Sequence, residues 1–143
     1  MVIVFDMDNT LTDELGATVR PGIVALLERL KRDGHRLVLW TNSKRTRARE
    51  ILALHGLQKH FQTCVFREDY DPKEQGVNKD IRKVEGQVLI DDDPAEVRFV
   101  ESIGRRGILI KSYRKGNPID RNELTQLYRA VRRSDGFLGK LFK

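Results

Sequence analysis

The sequence predicts a three-layer α/β domain built on a doubly wound parallel sheet. Three observations point there. Short apolar runs, the longest of four or five residues, recur along the 143-residue chain. They lack polar alternation, so their strands are buried on both faces, as in a parallel sheet covered by helices. Segments with apolar residues at helical spacing lie between them, the pattern of right-handed βαβ crossovers.

The elements follow in order. Val2 to Phe5 is the first strand. Pro21 to Lys31 places Ile23, Leu26, Leu27 and Leu30 on one helical face, and Gly34 follows as a stop. Arg36 to Trp40 is the second strand. Ser43 stands where it can cap a helix whose apolar face includes Ala48, Ile51 and Leu52, and His55-Gly56 ends it. Thr63 to Phe66 reads as the third strand and Gln87 to Ile90 as the fourth. Pro94 to Ser102 is a helix and Gly107 to Ile110 the fifth strand. Arg121 to Arg132 is the last helix, with Leu124, Leu127, Tyr128 and Val131 on one side. The charged stretch from Arg67 to Asn78, with Pro72 and Gly76, reads as an irregular connection: a candidate substrate loop, or an ordinary exposed link. One domain is expected over residues 1–133, with a basic, partly apolar tail over 134–143.

Composition narrows the classes. No apolar run approaches the roughly 20 residues of a membrane span, and no basic segment precedes the first acid, Asp6, as a signal peptide would require. A single cysteine, Cys64, excludes an internal disulfide framework and a Cys-based zinc cluster; in an apolar strand it reads as an inert thiol. A soluble, cytoplasmic protein is expected. The net charge is +6, and residues 111–143 carry the whole surplus, nine bases against three acids. That basic end suits a polyanionic partner, either nucleic acid, acidic protein or anionic lipid, and the plainer alternative is a solvated helix with a frayed tail.

Ligands of open α/β sheets bind at the carboxyl ends of the strands. The first strand ends in Asp6-Met7-Asp8-Asn9-Thr10, the second in Thr41-Asn42-Ser43, the fourth in Asp91-Asp92-Asp93. Four carboxylates (Asp6, Asp8, Asp91 and Asp92) at one sheet edge repel each other unless a cation sits among them or some are protonated. Hard oxygen ligands without histidine or cysteine point to Mg²⁺, which favours phosphate-bearing substrates.

These residues resemble the haloacid dehalogenase-like (HAD) superfamily. Phe5-Asp6-Met7-Asp8-Asn9-Thr10-Leu11-Thr12 is similar to its first motif, Leu37 to Asn42 to its second, and Val88 to Asp92 to its fourth. Lys79-Asp80-Ile81 stands where the third motif's lysine belongs and resembles an element of the small C-terminal-domain phosphatases; Lys83 competes for that place. The chain is also similar to magnesium-dependent phosphatases. The resemblance covers roughly residues 2–110.

The resemblance implies a phosphatase acting through an aspartyl-phosphate. Asp6 would be the nucleophile and Asp8 the general acid and base. Thr41 and the Asn42 amide would hold the phosphoryl group, and Lys79 would neutralise its charge. Asp6, Asp91, Asp92 and the Asp8 carbonyl would bind Mg²⁺. Met7 would turn away from the site if the strand pleat continues that far. Asp at position 8 is what phosphatases and phosphomutases of the superfamily carry. The 30 residues from Leu11 to Trp40 and the 35 from Lys44 to Asn78 leave no room for a cap. A capless site is open to macromolecules such as phosphoproteins or nucleic-acid ends. Lys44 and Arg45 could contact an extended phosphate chain, whereas Arg47 and Arg49 read as solvent-facing. Asp93-Pro94-Ala95-Glu96 reads as a capping box rather than a ligand set, and Thr10 as a brace for the first loop. The alternative function is a polyanion- or protein-binding module of this fold with phosphatase activity secondary or lost.

Overall fold

The computed structural model describes the backbone of residues 1–141 and the side chains of residues 1–136. Five parallel strands form one sheet in the order β3-β2-β1-β4-β5. They are β1 (Val2–Phe5), β2 (Arg36–Trp40), β3 (Thr63–Val65), β4 (Val88–Asp91) and β5 (Arg106–Leu109). The helices are α1 (Ile23–Arg32), α2 (Arg45–Leu54), α3 (Arg67–Tyr70), α4 (Pro94–Ser102) and α5 (Glu123–Leu141). The expected doubly wound architecture is present, and the described residues form no cap domain. Among the described residues no helix is long and apolar enough to cross a membrane.

Pleating sorts the core into two layers. Ile3 and Phe5 of β1 join Leu27, Leu30, Leu52 and Val131 on the face covered by α1, α2 and α5. Val2 and Val4 join Ile81, Leu89 and Val100 on the face covered by α4. All four β1 residues are buried, so a polar residue in this strand would lose its water on either side.

Several boundaries differ from the sequence reading. The fourth strand runs to Asp91, because that residue still pairs with Leu109. Ser43 does not cap α2: its hydroxyl accepts from Arg47 Nη1 at 2.9 Å. The Glu68 carboxylate, from α3, takes the Arg45 N–H instead, at 2.9 Å. The connection after β3 is not wholly irregular, since it opens with α3 and the Asp71 carboxylate then gathers the N–H groups of Gln75, Gly76 and Val77. The last helix continues beyond Arg132 to Leu141. The side chains of Phe137, Leu138, Leu141 and Phe142, expected to give the tail its apolar content, lie outside the described residues.

Parallel pairing sets the site. β1, β2 and β4 are neighbours in the centre of the sheet. Their carboxyl ends, which carry Asp6, Thr41 and Asp91, therefore open side by side, next to the point where the strand order reverses.

Candidate active site

The chain leaves β1 through a tight turn. The Met7 carbonyl accepts the N–H groups of Thr10, Leu11 and Thr12 at 3.2, 2.9 and 3.3 Å. Asn9 takes a left-handed conformation, φ 65°, which asparagine tolerates better than most residues. Met7 points into the core and is fully buried, so Asp6 and Asp8 share the opposite side. Thr10 donates to Asp6 Oδ2 at 3.1 Å and to Asp92 Oδ1 at 3.4 Å. Bracing is therefore its observed contact.

Lys79 is the keystone. Its Nζ lies 2.8 Å from Asp6 Oδ1 and 2.8 Å from Asp91 Oδ2. All three side chains are at most 10% exposed. Lys83, the competing lysine, sits exposed in a 3₁₀ turn. Burial opposes the Lys79 charge, but Asp6 and Asp91 override it and hold the ammonium well above the ordinary lysine range. For Asp6, burial pushes the carboxyl well above its usual range; Lys79 pulls it back and Asp91 pushes it up. The cluster is short of positive charge.

That shortage bears on a cation. Asp6, Asp91 and Asp92 each offer an oxygen, and the three oxygens lie within 4.8 Å of one another. Three carboxylates face one ammonium, leaving an excess of two negative charges when all are ionised. A hard, oxygen-preferring divalent ion fits that donor set. The Asp8 carboxylate is not in the set, and instead pairs with Arg47 Nη1 at 3.0 Å.

The remaining expected residues are placed as follows. Thr41 is fully buried, and its Oγ1 accepts the Ser43 N–H at 3.0 Å. Asn42 lines the cavity of ≈ 610 Å³ that also contains Asp6, Asp8, Lys79, Asp91 and Asp92. Lys44 lines a smaller cavity beside it. Arg45 lines neither: its guanidinium pairs with Asp69 Oδ1 at 2.6 Å. Asp93 caps α4 as expected, accepting from the Ala95 N–H at 2.9 Å. Glu96 does not complete a capping box, because its carboxylate takes the Lys79 N–H at 2.8 Å. It thereby fixes the backbone that carries the lysine.

Sequence reasoning missed several participants. Arg47, read as solvent-facing, holds Asp8. Tyr70 lines the larger cavity and packs edge-on against Trp40, centroids 5.2 Å apart; burial pushes its hydroxyl up to about 12. Ser112 donates to Asp92 Oδ2 at 2.6 Å. Arg20 donates to the Thr10 and Asn9 carbonyls at 2.7 and 2.9 Å and to the Lys111 carbonyl at 2.5 Å, stitching the first loop to the segment after β5. Its partners are over ninety residues apart in the chain, so no local pattern marks it.

A parallel five-stranded sheet with this acid–lysine–acid bridge across two central strands is the arrangement of a HAD-type hydrolase. Solved structures agree on the fold. A hydrolase from Streptococcus pneumoniae TIGR4 is similar, with TM-score 0.68 at 14% identity, covering 92% of this chain and 97% of that one. A HAD-superfamily hydrolase from Ehrlichia chaffeensis gives 0.63 at 12%, covering 93% and 96%. D,D-heptose 1,7-bisphosphate phosphatase from B. bronchiseptica, complexed with magnesium and phosphate, gives 0.58 at 12%, covering 92% and 98%. No curated protein matches the sequence significantly. The sequence model of the NLI interacting factor-like phosphatases matches residues 1–139, and the chain belongs to that family. It is a phosphatase, a phosphoric monoester hydrolase.

Proposed function

We propose that the chain is a Mg²⁺-dependent phosphomonoester hydrolase that works through an aspartyl-phosphate on Asp6. The observation that carries this reading is the Lys79 ammonium held 2.8 Å from both Asp6 and Asp91. It neutralises one oxygen of Asp6 and, with the Thr10 hydroxyl 3.1 Å from the other, fixes the direction of the carboxylate.

Each residue has a task its surroundings fit. Asp6 attacks phosphorus in line; a phosphorus–oxygen bond forms to its carboxylate as the bond to the leaving oxygen breaks. Asp8 gives its proton to the leaving oxygen, then takes one from the water that hydrolyses the acyl phosphate, returning Asp6 to the carboxylate. The Thr41 hydroxyl and the Asn42 amide hold the transferred group. Lys79 stabilises the charge that spreads over its oxygens. Asp6, Asp91, Asp92 and the Asp8 carbonyl would hold the metal, with Ser112 and Thr10 orienting Asp92. When bound, Mg²⁺ supplies positive charge against the phosphoryl oxygens and the carboxylates. With no cap, the site admits a macromolecular substrate.

The test is hydrolysis of 4-nitrophenyl phosphate with Mg²⁺, with EDTA, and by Asp6→Asn. We expect chelation to abolish turnover and the variant to lose about 10⁴-fold or more, as nucleophile deletions do. Undiminished turnover by Asp6→Asn would remove the nucleophile assignment.

A further inference from the structure

A second cavity of ≈ 400 Å³ adjoins the first, lined by Asp8, Asn42, Ser43, Lys44, Arg47 and Arg67. The two cavities share Asp8 and Asn42. Three cations line this one against a single carboxylate, and no apolar side chain does. Arg67 is held at its root by the Asn42 carbonyl, 2.8 Å from Nε, and by Glu74 at Nη1. Its Nη2 and the Lys44 ammonium meet no protein acceptor among the described residues. Arg47 is anchored on Asp8 and Ser43.

The position has a direction. If Asp8 protonates the leaving oxygen, the leaving group departs from Asp8 on the side away from Asp6, towards these cations. We propose that the substrate is the phosphorylated end of a nucleic acid, whose neighbouring phosphodiester lies against Lys44, Arg47 and Arg67. This rests on the phosphatase reading above. A nucleic-acid end carries a second anion at a fixed covalent spacing in every substrate. Forked guanidiniums match its oxygens. A phosphopeptide supplies such a charge only where an acid happens to flank the modified residue. No aliphatic or aromatic residue lines the cavity to receive its other side chains.

The experiment uses trinucleotides with a 3′- or a 5′-phosphate, in which the linkage next to that phosphate is either a phosphodiester or an uncharged methylphosphonate. Activity is measured with Mg²⁺ beside a phosphoserine peptide and 4-nitrophenyl phosphate. Neutralising the linkage is expected to lower kcat/KM about tenfold or more, the scale of a lost charge-assisted contact. In the Lys44→Ala/Arg67→Ala double variant the ratio between the two linkages should fall towards one. Because the ratio is taken within each protein, a smaller folded fraction cancels. A ratio near one in the unaltered protein, or faster turnover of the peptide than of either oligonucleotide, would overturn the proposal. If 4-nitrophenyl phosphate is hydrolysed while the ratio is one, only the leaving-group assignment falls. If nothing is hydrolysed, the phosphatase mechanism falls with it.

Discussion

The two cavities that meet at Asp8 are built from opposite materials. The larger is lined by seven carboxylates and one lysine. The smaller is lined by three cations and one carboxylate. The first rests largely on strand ends, where Asp6 and Asp91 are fixed by sheet pairing: the Asp6 N–H bonds the Ile90 carbonyl at 3.0 Å. The second is assembled from the start of α2 and from α3, with Lys44 and Arg47 exposed. The difference teaches where precision is needed. Bond making demands atoms held to within a few tenths of an ångström, which the rigid sheet supplies for the mechanism proposed above. Recognition of a flexible chain, as proposed for the smaller cavity, tolerates long side chains that adjust.

The largest effect is expected where charge is buried. Lys79→Ala leaves Asp6 and Asp91 without their ammonium. Removing one partner of a buried pair costs about 3–5 kcal/mol, whereas truncating exposed Lys44 should stay within about 0.5 kcal/mol. Urea unfolding of the two variants without metal checks this. Mg²⁺ should restore part of the Lys79→Ala loss, since a ligand of the folded state stabilises it, but not the activity. Equal, small losses at both positions would show that Asp6, Lys79 and Asp91 are not the tightly coupled buried group described.

Asp8 faces both cavities, and its removal should separate two steps. Asp8→Asn is expected to slow turnover about 10²–10⁴-fold, the range of general acid–base catalysis. With 4-nitrophenyl phosphate, whose leaving group needs little help from a proton, the first step should survive better than the second. Phosphoenzyme should then accumulate and be visible by acid quench and mass spectrometry. Loss of turnover with no trapped phosphoenzyme, while binding persists, would place the role of Asp8 entirely before the covalent step.

How much of this could be read in the chain depends on the range of each interaction. Apolar runs followed by acids mark β1 and β4, because burial and chemistry there are properties of consecutive residues. Thr41, at the end of an apolar run, was legible for the same reason; Lys79 came from the resemblance alone, with Lys83 competing for its place. The end of β4 was not, since strand limits follow hydrogen bonding and Asp91 pairs although it is polar. Glu96 has the position of a capping-box acid, yet a backbone N–H seventeen residues earlier competes for it and wins. Arg47 looks like any surface arginine until the first loop is laid opposite α2. Arg45, next to the motif in sequence, is drawn away by Asp69 on α3.

The smallest expected effect tests what holds Arg47 in place. Its Nη2 lies 3.3 Å from the Glu14 carbonyl, in the loop that Asp13 organises. The buried Asp13 carboxylate accepts from the N–H groups of Leu15, Ala17 and Thr18 and from the Thr18 hydroxyl. Burial alone would raise its pKa; the Thr18 hydroxyl and these amides more than offset that and bring it down to about 2. A folded pKa below the unfolded value of about 3.9 stabilises the native state above that unfolded value. The contribution is lost as pH falls through about 2. Asp13→Asn should therefore cost about 1–3 kcal/mol at pH 7, the cost of breaking hydrogen bonds to a charged, buried group. The gap from the unaltered protein should narrow as the pH approaches the folded value. The linkage ratio defined by the two trinucleotides should shift less in Asp13→Asn than in the Lys44→Ala/Arg67→Ala variant, because the loop only supports one of the three cations. A stability gap that stays constant into strong acid would mean that the shape of the loop, not the charge of Asp13, does the holding.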